Sequence, residues 1–371
     1  MLNRRKFLLM ALFATISPIL ASCSVGNNSL TIRVLRDSIP SQLLGNFQKQ
    51  FQLNRQLDIK PVSQLESLYQ FLEKLRQEDS EKTANLVTLG DIWLQKAINE
   101  NLIQPLNVDS VNNWKKLPSS WQQLVQRDTQ GNIDQTGQIW AAPYRWGSTV
   151  IAYRKDKFRK AGYDPPTDWQ DLWREELRDR VSLLDQPREV IGLTLKKLGC
   201  SYNTTDLDNV PNLKTELAAL HQQVKFYSSQ AYLQPLVLED TWLAVGWSSD
   251  VLQLQTRYPD IEAVIPTSGT ALWADMWVQP SSQQSLSEPM SQWINFCWEM
   301  EAASQIGLFT NASSPILLNT QREKLPKTLQ QDALRIPQTT LLEKSEFLLP
   351  LSPQTKEQYR RIWQDMRTDN L

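Results

Sequence analysis

The chain has 371 residues, with 39 basic and 40 acidic side chains, a formal net charge of −1, one histidine and three cysteines. With no basic block it offers no footing to a nucleic acid, and a single histidine excludes an HExxH site or zinc held by paired histidines. No GxSxG elbow, GxxxxGKS/T loop or GxGxxG turn occurs.

The N-terminus reads as a targeting segment. Arg4, Arg5 and Lys6 precede an apolar run over 7–20, which Leu20-Ala21-Ser22-Cys23 closes. That run is too short to span a bilayer comfortably, and small residues before a cysteine make a lipobox, so 1–22 is expected to be a signal peptide. Diacylglycerol is expected on Cys23, with 23–29 as lipidated Cys and tether; two or three acyl chains anchor stably where one does not. Asn3-Arg4-Arg5-Lys6-Phe7-Leu8 also resembles a twin-arginine motif, with Asn3 where Ser or Thr is usual, so both export routes stay open. No later stretch is apolar for about 18 residues. The mature protein is therefore expected on the periplasmic face of the cytoplasmic membrane, or extracellular, held by lipid.

The roughly 350 residues that follow suit two domains better than one. Leu30–Leu35 alternates as a strand. A helix is expected over 40–51, capped by Ser38, with Leu43, Leu44, Phe47 and Phe51 on one face. Leu57–Val62 is a strand, Leu65–Gln77 a helix, 85–89 a strand and 92–101 a helix. This β-α-β-α-β-α order predicts a mainly parallel sheet flanked by helices, with right-handed crossovers. Residues 139–153 read as strands broken near Pro143 and Gly147. A second cycle follows. Helices are expected over 169–176, 187–198, 213–226, 251–258, 289–302 and 355–366, and strands over 181–184, 242–247, 261–265 and 271–279. Pro187 opens one of these helices and Gly199 follows its end. No Gly/Ser linker separates the two cycles, which suits lobes that close about a hinge.

Cys200 and Cys297 could pair in an oxidising compartment; two separately buried thiols is the simpler reading. His221, beside Gln222 and Gln223, reads as a surface helix residue. Fourteen tryptophans suit a core; they also suit aromatic walls that stack on sugars or attract ammonium groups.

From Trp140 onward the residues carry a resemblance. Pro143-Tyr144-Arg145-Trp146-Gly147-Ser148-Thr149 and Thr167-Asp168-Trp169-Gln170-Asp171-Leu172-Trp173 come first. Asp185, Arg188-Glu189-Val190, Lys197-Leu198-Gly199, Asn203-Thr204-Thr205-Asp206, Trp247 and Trp273-Ala274-Asp275 follow in order. The sequence resembles the spermidine/putrescine-binding proteins of bacterial ABC importers, within the type II periplasmic binding fold, densely from Trp140 to Pro280 and faintly elsewhere. The resemblance implies an α/β fold of two lobes, each a mainly parallel sheet flanked by helices. Lobe 1 would span 30–145 with about 275–310, and lobe 2 would span 146–274 with about 311–371.

It also implies a ligand site. Glu189 and Asp275 would be carboxylates for ammonium groups, Trp247 and Trp273 the walls, and Asp185 a further acid next to Gln186. Each has a plainer reading. Glu189 falls in a helix's first turn, where an acid favours the dipole, and Asp275, in an apolar strand, needs either a ligand or an internal arginine. Aromatics usual in the family are missing at Leu35-Arg36-Asp37-Ser38, at Gly90-Asp91-Ile92 (though Trp93 follows) and at Leu308. The expected function is a lipid-anchored monomer that captures a polyamine or related cationic amine and delivers it to an ABC permease, without cofactor, metal or catalysis. The alternatives are another small solute on the same fold, or a binding or sensing lipoprotein outside transport. An enzyme drawing a glycosidase-like pair from the acids Asp185, Glu189 and Asp275 has no catalytic motif behind it.

Overall fold

The computed structural model describes residues 30–51, 57–77, 84–283, 286–368 and 370–371. The expected signal peptide, lipobox, Cys23 and tether lie outside them. The strands in chain order are β1 (Leu30–Leu35), β2 (Leu57–Val62), β3 (Leu86–Gly90), β4 (Ile103–Gln104), β5 (Gln126–Arg127), β6 (Gln138–Ile139) and β7 (Ala142–Arg154). They continue with β8 (Val181–Leu183), β9 (Val224–Tyr227), β10 (Leu243–Trp247), β11 (Ile261–Val264), β12 (Ala271–Pro280) and β13 (Glu346–Phe347).

The main sheet runs β2-β1-β3-β12-β7-β10-β8-β9. At one end β1 lies parallel to β2 and β3; at the other β8 lies parallel to β9 and β10. The helices between these strands make the parallel crossovers expected of an α/β fold. Between the two parallel groups, β7 and β12 cross antiparallel to their neighbours. The first half of β7 pairs with β12 and the second half with β10 and β11. One 13-residue strand, buried at every position, thus belongs to both halves of the molecule.

The sequence suggested a break near Pro143. The chain instead carries a bulge there: the register against Asp275 and Met276 skips Tyr144. An irregular pairing tolerates the missing N–H of proline, so the strand continues through it. Tyr144 is held by Trp277, stacked at 4.0 Å and 11°, while its hydroxyl donates to Ser38 Oγ at 2.9 Å and lies 3.1 Å from Thr88 Oγ1.

Two large cores flank the crossing. The first joins Leu30, Ile32, Val34, Leu86, Leu89 and Trp277 with Trp293, Phe296 and Trp298. The second joins Ile151, Trp169, Val181, Leu183, Tyr202 and Leu243 with Tyr359, Ile362 and Met366 of the Pro353–Arg367 helix. Ile316, Leu317, Leu325, Leu329 and Ile336 pack in the first core. About 311–371 is expected in the second lobe; these five side chains, with Leu342 and with Phe347 of β13, lie with the first core instead, while Leu334 and Leu341 pack beside Val150 and Ala244, and Leu348, Leu351 and the final helix pack on the second core. Cys297 lies in the first core and Cys200 packs on the second, both as free thiols. Seven of the tryptophans (Trp121, Trp140, Trp146, Trp169, Trp277, Trp293 and Trp298) are buried, and Trp93, Trp114, Trp173, Trp242 and Trp363 pack against the cores, so core filling accounts for most of them.

Ser38 does not cap the first helix: Ser41–Gln50 starts from Pro40 with no side-chain cap, and Ser38 takes the Tyr144 hydroxyl instead. Three further local expectations differ. Residues 169–176 form two 3-10 turns, Trp169–Trp173 and Glu175–Leu177, with Asp168 and Asp171 in a reciprocal cap. The helix expected over 213–226 stops at His221, and Val224–Tyr227 becomes β9. The helix expected over 289–302 is two, Glu288–Cys297 and Met300–Phe309.

Candidate ligand-binding site

Successive side chains of a strand point to opposite faces, so Arg145, Gly147 and Thr149 of β7 share one face at the crossing. Each meets a different part of the expected site. The Arg145 Nε donates to Asp275 Oδ2 at 2.9 Å, and the two side chains are only 8% and 2% exposed. Arg145 Nη1 approaches the Thr310 carbonyl at 3.5 Å, and the guanidinium lies 5.6 Å from the centroid of the Trp273 ring. Burial pushes the Asp275 carboxyl up, against the pull of Arg145. The sequence left Asp275 between a ligand and an internal arginine; the structure supplies the arginine.

Gly147 faces Trp273. A Cβ at Gly147 would lie 2.3 Å from Trp273 Cζ2 and 2.5 Å from Ser248 Oγ. The indole therefore rests on bare backbone, which only glycine provides. Trp273 is half-buried, and its Nε1 finds no acceptor among the described residues.

Thr149 faces the second half of the molecule. Its hydroxyl donates to Glu189 Oε2 at 3.0 Å. Glu189 stands in the first turn of the Pro187–Lys197 helix and is 7% exposed. Burial pushes its carboxyl up to about 7, while Thr149, Arg188 and the Trp247 side chain work against that rise. Trp247 is half-buried at the end of β10, opposite Thr149 in register. Its ring meets Tyr232 edge-on, with centroids 5.8 Å apart.

The structure thus gathers Glu189 with Trp247, and Asp275 with Trp273, along one strand face. Asp185 joins neither group: its carboxylate is 48% exposed and pairs with Arg367 of the last helix at 3.0 Å. A residue the sequence noted only as a missing aromatic does join. Asp91 follows β3 and accepts from the Ala274 N–H at 3.1 Å. It is 8% exposed, its Oδ2 has no partner among the described residues, and burial pushes it up to about 7. An acid at the carboxyl end of a predicted strand, where α/β sheets bind ligands, was the signal available for it. Ile92 and Phe309, next to Asp91 and Thr310 in the chain, are exposed. So is Arg36, beyond β1. Two surface depressions, of about 490 and 370 Å³, lie elsewhere: one is lined by Tyr232, Asp250 and Arg257, the other by Asn46, Phe296 and Glu299.

Buried carboxyls, half-buried indoles and a continuous strand linking two α/β halves describe a solute-binding protein of two lobes. The chain belongs to the bacterial extracellular solute-binding protein family, whose model matches residues 81–344. It is 25% identical over 324 residues to the spermidine/putrescine-binding periplasmic protein of Escherichia coli K12, covering 86% of each chain. It is 25% identical over 246 residues to the putrescine/cadaverine-binding protein of Pseudomonas aeruginosa, covering 62% of this chain and 67% of that protein. Its fold matches the crystal structure of the spermidine/putrescine ABC transporter substrate-binding protein PotD of Streptococcus pneumoniae with a TM-score of 0.79 at 21% identity, over 92% of this chain and 99% of that one. Among the described residues no helix is long and apolar enough to cross a membrane.

Proposed function

We propose that this protein captures a polyamine or related cationic amine between its two lobes and delivers it to an ABC permease. The observation that carries the reading is the pair of buried carboxyls, Glu189 and Asp91, that make no ion pair among the described residues. A buried acid without a counter-charge is costly to ionise. An ammonium group arriving from solvent removes that cost and gains charge-assisted hydrogen bonds. Trp247 and Trp273 would wall the methylene stem and face the cation with their rings. Asp275, already held by Arg145, would border the site in lobe 1, while Asp185 lies outside the cluster and would act at most at long range. Closure of the lobes would exclude water and strengthen each contact. Energy for transport would come from a separate ATPase.

The same reading places the protein outside the cytoplasmic membrane as a monomer, anchored through Cys23. The names of its relatives support polyamine binding. Another solute class is the second reading, because the first lobe carries Gly90-Asp91-Ile92 and Leu308 where the resemblance has aromatics. Thermal unfolding of the chain from Ser24 onward, with and without spermidine, putrescine, amino acids and sugars, tests both. A ligand at about a thousand times its Kd adds roughly 4 kcal/mol. A shift with polyamines alone supports the proposal; a shift only with sugars or amino acids moves the ligand; no shift points to a role outside transport.

A further inference from the structure

We infer that Asp91, not Asp275, is the first-lobe carboxylate that binds the ligand's ammonium group, with Arg145 acting as the residue that withdraws Asp275 from the ligand. This rests on the cationic-amine reading above. Asp275 has spent its charge: it faces Arg145 at 2.9 Å, and both side chains are almost wholly buried. Asp91 has not. Its Oδ1 takes the Ala274 N–H, and its Oδ2 is buried without a donor among the described residues. The positive side chain acting on it is Arg127, whose Nε and Nη1 donate to the Leu124 and Gly131 carbonyls, while Asp275 acts on it as a like charge.

Position supports the exchange. Gly90 pairs in register with Asp275, so Asp91 leaves β3 at the strand's carboxyl end beside Trp273-Ala274-Asp275. Asp275 is ion-paired with Arg145 and Asp91 is not, so Asp91 is the carboxyl at this end of the site left without an ion pair among the described residues. Glu189 is its counterpart at the other end. A ligand with ammonium groups at both ends of an apolar stem satisfies both carboxylates and leaves the Arg145–Asp275 clasp intact. The clasp also explains how a buried arginine can sit beside an amine site without repelling its ligand: the arginine's field is cancelled where it arises.

The experiment is calorimetric titration with putrescine and spermidine at pH 8 of four proteins: wild type, Asp91→Asn, the pair-removing double variant Arg145→Gln/Asp275→Asn, and Asp91→Asn/Arg145→Gln. Asparagine keeps the Oδ1 acceptor for Ala274. The assignment expects Asp91→Asn to weaken binding tenfold or more and the pair-removing variant, which alters only the border of the site, to lose clearly less than Asp91→Asn does. Removing Arg145 in the Asp91→Asn background frees Asp275 and should restore binding, which a misfolded Asp91→Asn protein could not show. Unchanged affinity in Asp91→Asn overturns the assignment, as does a loss in the pair-removing variant as large as that in Asp91→Asn. A wild type that binds neither amine fails at the earlier step: it removes the amine reading itself, and the assignment with it.

Discussion

Glu189→Gln should stabilise the ligand-free protein while weakening its affinity for amines. The Glu189 carboxyl is held up at about 7, against an ordinary value of 4.5, chiefly by burial. Folding therefore takes up a proton on this side chain between those two values. The stability it contributes is complete below 4.5 and is lost as the pH rises through about 7. At about 1.4 kcal/mol per pH unit, ionising this group in the folded protein costs roughly 3 kcal/mol at pH 8. Glutamine keeps the shape, presents an oxygen to the Thr149 hydroxyl, which now donates at 3.0 Å, and carries no charge. Scanning calorimetry at pH 8 without ligand should find the variant melting several degrees above wild type, at about 2–4 °C per kcal/mol for domains of this size. The gap should largely close at pH 4, where Glu189 is protonated in the wild type too. With putrescine or spermidine the order should reverse in affinity: loss of a charged hydrogen bond, worth about 1.5–3 kcal/mol, weakens binding roughly ten- to a hundredfold. A variant melting at or below wild type at pH 8, or an offset independent of pH, would refute the claim that Glu189 is strained by burial.

Amine affinity should rise from pH 6 to pH 8, by about tenfold for each carboxyl that titrates near neutrality and must be ionised to bind; titration in buffers of different ionisation heat should show proton release. Asp275→Asn alone strands the buried Arg145 charge and should cost about 3–5 kcal/mol of stability, read as a lowered midpoint in urea. Gly147→Ala drives a methyl into the Trp273 ring; about 1–3 kcal/mol of overpacking and a weaker amine-induced change in tryptophan fluorescence are expected, and a variant matching wild type in both would show that Trp273 does not rest on Gly147.

Much of the lobe framework was legible locally. Leu30–Leu35, Leu57–Val62 and Leu65–Gln77 form as their periodicity dictates, and Pro187 and Gly199 bracket their helix, because alternation, helical spacing and capping are written in adjacent residues. Glu189, Trp247, Trp273 and Asp275 could be picked out because they sit in short ordered motifs. Where local signals were ambiguous, tertiary pairing decided. Val224–Tyr227 could extend a helix on its own pattern but is held as a strand by β8, and Pro143 would end a strand were it not at a bulge. The charge state of the site was decided the same way. Arg145 and Asp275 are 130 positions apart, and Asp91 and Ala274 are 183 apart. A residue's own sequence neighbourhood reports its backbone preference, whereas its electrostatic partner depends on which strands lie side by side, and only the folded sheet fixes that.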